Sequence, residues 1–184
     1  MLRPILMALV LLGCSGCIHV EYYQEYSLKV DSLSQELDKA AEHYLSLDTS
    51  MIRLQSDSLK RVLAATWPLQ DSLRDTILDS LMQVGDRLND VYETFWLDHP
   101  LILHEIRYTR KQLDDLAYDL DNYELEKEAI GTFFDTEKES VIKLTNRMER
   151  NMTLIQLNIQ RFSDHMPELR YYTDSLQANI EYEK

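Results

Sequence analysis

Apolar residues recur along most of the chain at alternating spacings of three and four, which is the spacing of one face of an α-helix. The first series shifts phase near its end, at Leu59 and Val62, and before that shift it comprises Tyr26, Val30, Leu33, Leu37, Ala40, Tyr44, Leu47, Met51 and Leu54. Similar series follow over residues 73–95, 102–123 and 144–180. Because a one-sided apolar face must be buried against another element, the pattern predicts an all-α fold. We expect an antiparallel bundle of about four long amphipathic helices with coiled-coil-like packing.

Prolines divide this pattern. Three polar residues that commonly cap helices are each followed by a proline within three positions, namely Thr66 and Pro68, Asp98 and Pro100, and Asp164 and Pro167. Proline is tolerated in the first turn of a helix, so each pair predicts a helix start. Thr136 and Glu139 have the spacing of a capping box and predict another start after Gly131. The predicted helices span residues 21–65, 67–97, 99–130 and 136–182, the last with a kink near Pro167.

The first residues have a different character. Arg3 is followed by the apolar run Ile5 to Leu12, which is too short to span a bilayer because spanning needs roughly 20 residues. The sequence Leu11-Leu12-Gly13-Cys14 resembles the lipobox of bacterial lipoproteins, with Leu at position −3 and a small residue at −1 relative to the cysteine. This resemblance covers the leader alone.

The lipobox resemblance implies cleavage before Cys14, a diacylglycerol on its sulfur and often a third acyl chain on the new amino group. Two or three chains anchor a protein stably where one would not. We therefore expect a signal peptide over residues 1–13, a lipidated tether over 14–21 and a helical-bundle domain over 22–184. Ser15 after the cysteine goes with the outer membrane under enterobacteria-like sorting, so the expected location is the bacterial cell envelope.

Cys17 leaves three alternatives open, one of which is haem attachment through C-x-x-C-H, although Ile18 separates His19 from the second cysteine and breaks that spacing. Cys17 could itself be the acylated residue, although Cys14 would then occupy its −3 position and fits less well than Leu11 does. Cys14 and Cys17 also have the C-x-x-C spacing of redox motifs, but no βαβ pattern accompanies them. No cysteine follows Cys17, so no disulfide is expected within the helical domain.

Charge and composition narrow the classes of partner. The net charge of −13 repels phosphate backbones, so nucleic acid is not an expected partner. An enzyme needs convergent polar groups, usually on loops, and this chain offers almost no loop. We expect no catalytic residue and no cofactor. His99 and His104, with Asp98 and Glu105, form the only cluster of metal-ligating residue types, which a solvated helix start explains equally well.

The predicted function is a membrane-anchored, non-enzymatic scaffold, adaptor or binding protein with a protein partner in the envelope. The alternative is a periplasmic helical bundle that binds a metal or a small ligand. Tracing the predicted helices places the turns at residues 66–68 and 130–135 together at the end far from the membrane. These turns contain the large apolar residues Trp67, Ile130, Phe133 and Phe134. They predict a binding surface for the partner at this tip, unless the side chains instead close the open end of the core.

Overall fold

A computed structural model describes the backbone of residues 3–73 and 75–182, and the side chains of residues 20–69 and 75–178. The backbone forms four α-helices, α1 (Arg3–Leu45), α2 (Thr49–Leu73), α3 (Thr76–Asp121) and α4 (Lys127–Tyr182), and the described ranges contain no strand. The helices pack as a bundle, which confirms the predicted all-α fold class. None of the described helices is long and apolar enough to cross a membrane.

The chain divides into two compact units. Unit 1 consists of the described residues up to His43 together with Ile102–Arg147, and unit 2 consists of Tyr44–Leu101 together with the described residues from Met148 onward. Each unit therefore contains segments of three long helices. In unit 1, α3 runs antiparallel to α1, since Ser27 bonds to Asp121 and Arg110 bonds to Asp38.

Unit 2 has the same local arrangement. The α3 segment runs antiparallel to α4, because Asn158 bonds to the Leu88 carbonyl and His165 to the Leu81 carbonyl. α2 lies parallel to α4, because Ser58 bonds to Arg170 and, further along both helices, the Thr66 and Thr173 hydroxyls are 2.9 Å apart. The apolar core of the unit comprises Ile52, Leu59, Leu63, Leu78, Leu81, Met82, Leu88, Tyr92, Phe95, Ile155, Met166 and Leu169.

The predicted helix starts at the prolines are wrong. Pro68 lies inside α2, Pro100 inside α3 and Pro167 inside α4. An interior proline costs about 3 kcal/mol of helix propensity, but burial of an amphipathic face can outweigh a single residue's propensity. The predicted caps Thr66, Asp98 and Asp164, and the Thr136–Glu139 box, are also helical. The hydroxyl of Thr66 is turned inward instead, where it donates to the Val62 carbonyl.

Two aspartates cap the real starts of α2 and α3. The Asp48 carboxylate accepts the Met51 N–H at 2.9 Å, and the Asp75 carboxylate accepts the Ile77 N–H at 2.8 Å and the Leu78 N–H at 3.2 Å. These bonds satisfy backbone donors of the first turn, which have no partner within the helix. The break at residues 46–48 also ends the first apolar series, so Leu54, which that series placed in the core, is 68% exposed.

α3 ends in an unusual turn. The Tyr123 N–H bonds to the Leu120 carbonyl and the Glu124 N–H to the Asp119 carbonyl, which is the hydrogen-bond pattern of a Schellman cap. That cap requires a left-handed residue, and Tyr123 occupies it with φ of 57°. Glycine is the usual residue at this position because a side chain costs roughly 1–2 kcal/mol in the left-handed region. The fold thus retains a tyrosine where glycine would be less strained.

Candidate binding surfaces

A shallow groove runs along unit 2 between α2 and α4. Its volume is about 840 Å³, and its apolar lining consists of Met51, Leu54, Phe162, Met166, Pro167 and Tyr171. Leu54 is 68% exposed and Tyr171 is 74% exposed, so these side chains present apolar area to solvent. Contiguous exposed apolar surface on a soluble domain commonly marks a binding site. We call this set of residues the α2–α4 groove.

Polar residues also line the α2–α4 groove, namely Gln55, Ser58, Ser163, Arg170 and Asp174. Arg170 bonds to the Ser58 hydroxyl across it, and Asp174 lies at one end. This lining contains no pair of carboxylates, no histidine and no cysteine. The arrangement can bind an apolar surface, but it offers no nucleophile with an adjacent base.

The four residues predicted to form a binding tip are not in turns. Trp67 lies in α2 within unit 2, whereas Ile130, Phe133 and Phe134 lie in α4 within unit 1. The predicted turns at residues 66–68 and 130–135 are therefore wrong. Trp67 and Phe133 are about half exposed, at 52% and 49%, but Ile130 is fully buried. Ile130 belongs to the core of unit 1, and a role of the four residues in partner binding stays a prediction.

An aromatic cluster lies at one end of unit 1. It comprises Tyr22, Tyr23 and Tyr26 of α1, Tyr123 of the α3–α4 turn and Phe134 of α4. Their rings lie within contact distance in pairs: the centroids are 5.0 Å apart for Tyr22 and Tyr26, 5.5 Å for Tyr26 and Phe134, and 5.0 Å for Tyr23 and Tyr123. The Tyr23 hydroxyl donates to the Leu125 carbonyl, which ties the turn to α1. Tyr123 remains 53% exposed.

Two lysines accompany the aromatic cluster. The Lys29 ammonium lies 4.3 Å from the centre of the Tyr26 ring, and the Lys127 ammonium lies 5.0 Å from that of Tyr22. The bond from Lys29 to the Glu25 carboxylate raises the pKa of the lysine. The Lys29 ammonium is therefore charged near neutral pH. Both lysines lie over the faces of aromatic rings, where a cation is attracted to the ring.

The predicted histidine cluster does not form a metal site. The Tyr44 hydroxyl lies 3.1 Å from the His99 Nδ1 and donates to the Asn151 side-chain carbonyl at 3.1 Å, all within unit 2. Burial lowers the pKa of His99, and the Phe95 ring stacks on it. His104 belongs to unit 1 and stacks on Tyr108. Among the residues whose side chains the structure describes, no three potential ligands converge.

Cys14, which the sequence predicts to be lipidated, lies in α1, but its side chain is outside the described residues. Sequence reasoning missed both the α2–α4 groove and the aromatic cluster. The density of tyrosines at positions 22, 23 and 26 is a signal that could have indicated the cluster. The groove gave no such signal, since Met51 and Leu54 fit the apolar series of a helix that in fact ends at Leu45.

Comparison with known proteins yields no relative. No protein-family model, no curated protein and no solved structure matches this chain.

Proposed function

We propose that this protein is a lipid-anchored lipoprotein of a bacterial cell envelope whose helical units serve as a non-enzymatic adaptor for a protein partner. The observation that carries the proposal is the leader, in which the apolar run Ile5 to Leu12 is followed by Gly13 and Cys14. Acylation of Cys14 would fix the protein to the outer membrane through two or three chains.

Metabolic labelling with a fatty-acid probe tests the anchor. A Cys14→Ser precursor should lose the label and stay uncleaved, because the acylated sulfur is gone. Cys17→Ser is the matched control and should be labelled and cleaved like the wild type. Label retained in Cys14→Ser and lost in Cys17→Ser would instead put the mature start at Cys17.

The α2–α4 groove supports the adaptor role and suggests the chemistry of the partner. Its exposed lining combines apolar side chains such as Leu54 and Tyr171 with the polar Ser163, Arg170 and Asp174, and the chain as a whole carries a net charge of −13. An acidic protein attracts partners of opposite charge during encounter. The partner that fits is an amphipathic helix with an apolar face and basic flanks, laid along the groove.

Site-specific photo-crosslinking in intact cells tests this partner. A photoreactive residue at Leu54 should give an adduct with one envelope protein, whose crosslinked peptide is apolar and flanked by Lys or Arg. The matched control is the same photoreactive residue at Tyr118, which is 60% exposed but lies in unit 1. Adding Tyr171→Asp to the Leu54 probe should abolish the adduct. Equal adducts at both probes, or an acidic crosslinked peptide, would contradict the proposal.

A further inference from the structure

The aromatic cluster lies close to the proposed anchor along the chain. Cys14 and Tyr22 belong to the same helix, α1, and are eight residues apart. At ~1.5 Å per residue this separation is about 12 Å along the helix axis. The turn carrying Tyr123 is at the same end of unit 1, because Tyr23 contacts Tyr123 and bonds to Leu125. Acyl chains on Cys14 would therefore bring the whole cluster to the membrane surface.

The side chains of the cluster match the chemistry of a lipid headgroup layer. Tyrosine has an apolar ring and a polar hydroxyl, and it is enriched where membrane meets water. Lys29 and Lys127 add long apolar stems that end in ammonium groups, which commonly accompany interfacial aromatics. Val20, the first residue of α1 whose side chain is described, is also exposed.

Tyr123 provides an independent argument. It holds a left-handed backbone conformation that favours glycine, yet its large side chain is 53% exposed. A strained residue that persists on the surface indicates a use for its side chain beyond folding. Packing against Tyr23 covers part of the ring, and about half of the residue remains exposed to meet another surface.

We infer that the solvent-facing side of the aromatic cluster is a lipid-contacting surface that lies in the headgroup layer and holds unit 1 against the membrane, an inference that rests on the proposed acylation of Cys14. Tyr123 is its exposed member, Tyr22, Tyr26 and Phe134 are partly exposed, and the buried Tyr23 supports Tyr123 from below. The lipid is zwitterionic rather than anionic. Carboxylates surround the cluster, and anionic headgroups would be repelled by Glu21, Glu25, Glu124, Glu126 and Glu128, all exposed.

Tryptophan reporters in the full-length acylated protein test the inference. Tyr123→Trp and, as a second reporter, Tyr22→Trp are reconstituted in phosphatidylcholine–phosphatidylethanolamine vesicles, with and without bromine near the headgroup end of the acyl chains. The matched control is Tyr171→Trp, an exposed aromatic of unit 2. After subtraction of the wild-type signal, brominated lipid should at least halve the emission of the unit 1 reporters and leave that of the control unchanged. Replacing a third of the lipid by phosphatidylglycerol should weaken the quenching.

The outcomes separate the two proposals. If the fatty-acid label is present but neither unit 1 reporter is quenched, the lipid surface is overturned and a protein becomes the occupant of the cluster, while the anchor stands. If the label is absent from the protein, the proposed function fails, and the lipid surface fails with it. Quenching that is equal or stronger in phosphatidylglycerol would overturn the assignment to zwitterionic lipid.

Discussion

Units 1 and 2 use the same arrangement of three long helices but bury different side chains. Seven polar residues are buried in the part of the chain whose side chains are described, and only Thr109 belongs to unit 1. The six in unit 2 are Ser56, Thr66, Asn151, Asn158, His165 and Thr173. Unit 1 has polar contacts nearer the surface, for example the ion pair between Arg147 and Glu105 at 2.8 Å, beside the bond from the buried Tyr23 to the Leu125 carbonyl.

The difference shows two ways of specifying a helical bundle. In a coiled-coil-like seam the apolar positions repeat every seven residues. Apolar contacts alone therefore discriminate poorly between two pairings of the helices that differ by one heptad. A buried polar group that loses its partner is costly, and this penalty selects one pairing. Unit 2 carries such groups as buried side-chain pairs between helices, for example Tyr44 with Asn151. The core of unit 1 consists mainly of apolar side chains, aromatic ones among them, with ion pairs nearer the surface.

The largest expected effect tests whether the two cores are separate. Ile130 of unit 1 and Ile155 of unit 2 are both fully buried, so truncation to Ala should cost about 2–5 kcal/mol of unfolding free energy at either site. Native-state amide hydrogen exchange should show that Ile130→Ala weakens protection in unit 1, and Ile155→Ala in unit 2. Loss of protection throughout the chain in both variants would mean that the units unfold as one.

A smaller effect tests the buried polar network. Tyr44→Phe removes the hydroxyl that bonds to His99 and Asn151, and this should cost about 1–3 kcal/mol in denaturant unfolding because buried polar atoms lose a partner. Tyr118→Phe is the matched control in unit 1, where the ring is exposed, and it should change stability little. If both changes have the same effect, the network does not stabilise unit 2.

Two glycines should respond in opposite directions to Ala. At Gly131 of unit 1 a new Cβ would meet only the Tyr26 hydroxyl, at 3.5 Å, so Gly131→Ala should stabilise by about 1 kcal/mol through helix propensity. At Gly85 of unit 2 the Cβ would lie 2.7 Å from a Leu63 methyl inside the core, so Gly85→Ala should destabilise by about 1 kcal/mol. Thermal unfolding measures both changes in stability. A higher melting temperature for Gly85→Ala would show that the core of unit 2 accommodates the added methyl group at little cost.

The smallest effects concern pH and have opposite signs. Burial lowers the pKa of His99 in unit 2, so the unfolded chain binds its proton more readily and stability falls as pH drops below about 6.5. Burial raises the pKa of Glu137 in unit 1, so its ionised carboxylate destabilises the fold at neutral pH, and this penalty disappears as pH falls below the carboxyl's ordinary pKa.

Substitution by Gln checks both signs through the melting temperature. His99→Gln should reduce the loss of stability between pH 7 and 5, while Glu137→Gln should raise the melting temperature at pH 7 by about 1–3 °C and have little effect at pH 4. A Glu137→Gln variant that melts at the wild-type temperature at neutral pH would show that the carboxylate carries no burial penalty.

The sequence predicted the fold class correctly, because apolar periodicity reports directly which face of a helix is buried. Leu33, Leu88 and Leu144 lie on the predicted series and are buried. The helix ends were predicted wrongly because a cap depends on which backbone groups lack partners. Asp48 and Asp75 are both followed by threonine, but so is Asp135, which lies within α4. The local sequence thus does not distinguish a cap from a solvated helical residue.

The candidate surfaces could be predicted less well. Ile130 was placed in a turn from the Gly131 that follows it, but a single glycine inside a long amphipathic helix is tolerated. The aromatic cluster brings together residues 26 and 134, a separation along the chain that helical periodicity cannot bridge. Its assembly depends on the turn at residues 122–126. The left-handed residue of this turn is a tyrosine, whereas a glycine at that position would have indicated a turn from the sequence.

Asp75 has a consequence for how unit 2 could change in length during evolution. One carboxylate oxygen caps α3, and the other accepts the Tyr172 hydroxyl of α4 at 2.7 Å, so the start of one helix is matched to a fixed point on the other. Asn158 and His165 bond to backbone carbonyls, which recur along every helix and would accept them again after a heptad slip. An insertion in α3 alone would therefore separate Asp75 from Tyr172. Longer or shorter variants of unit 2 should differ by matched heptads in α2, α3 and α4 together.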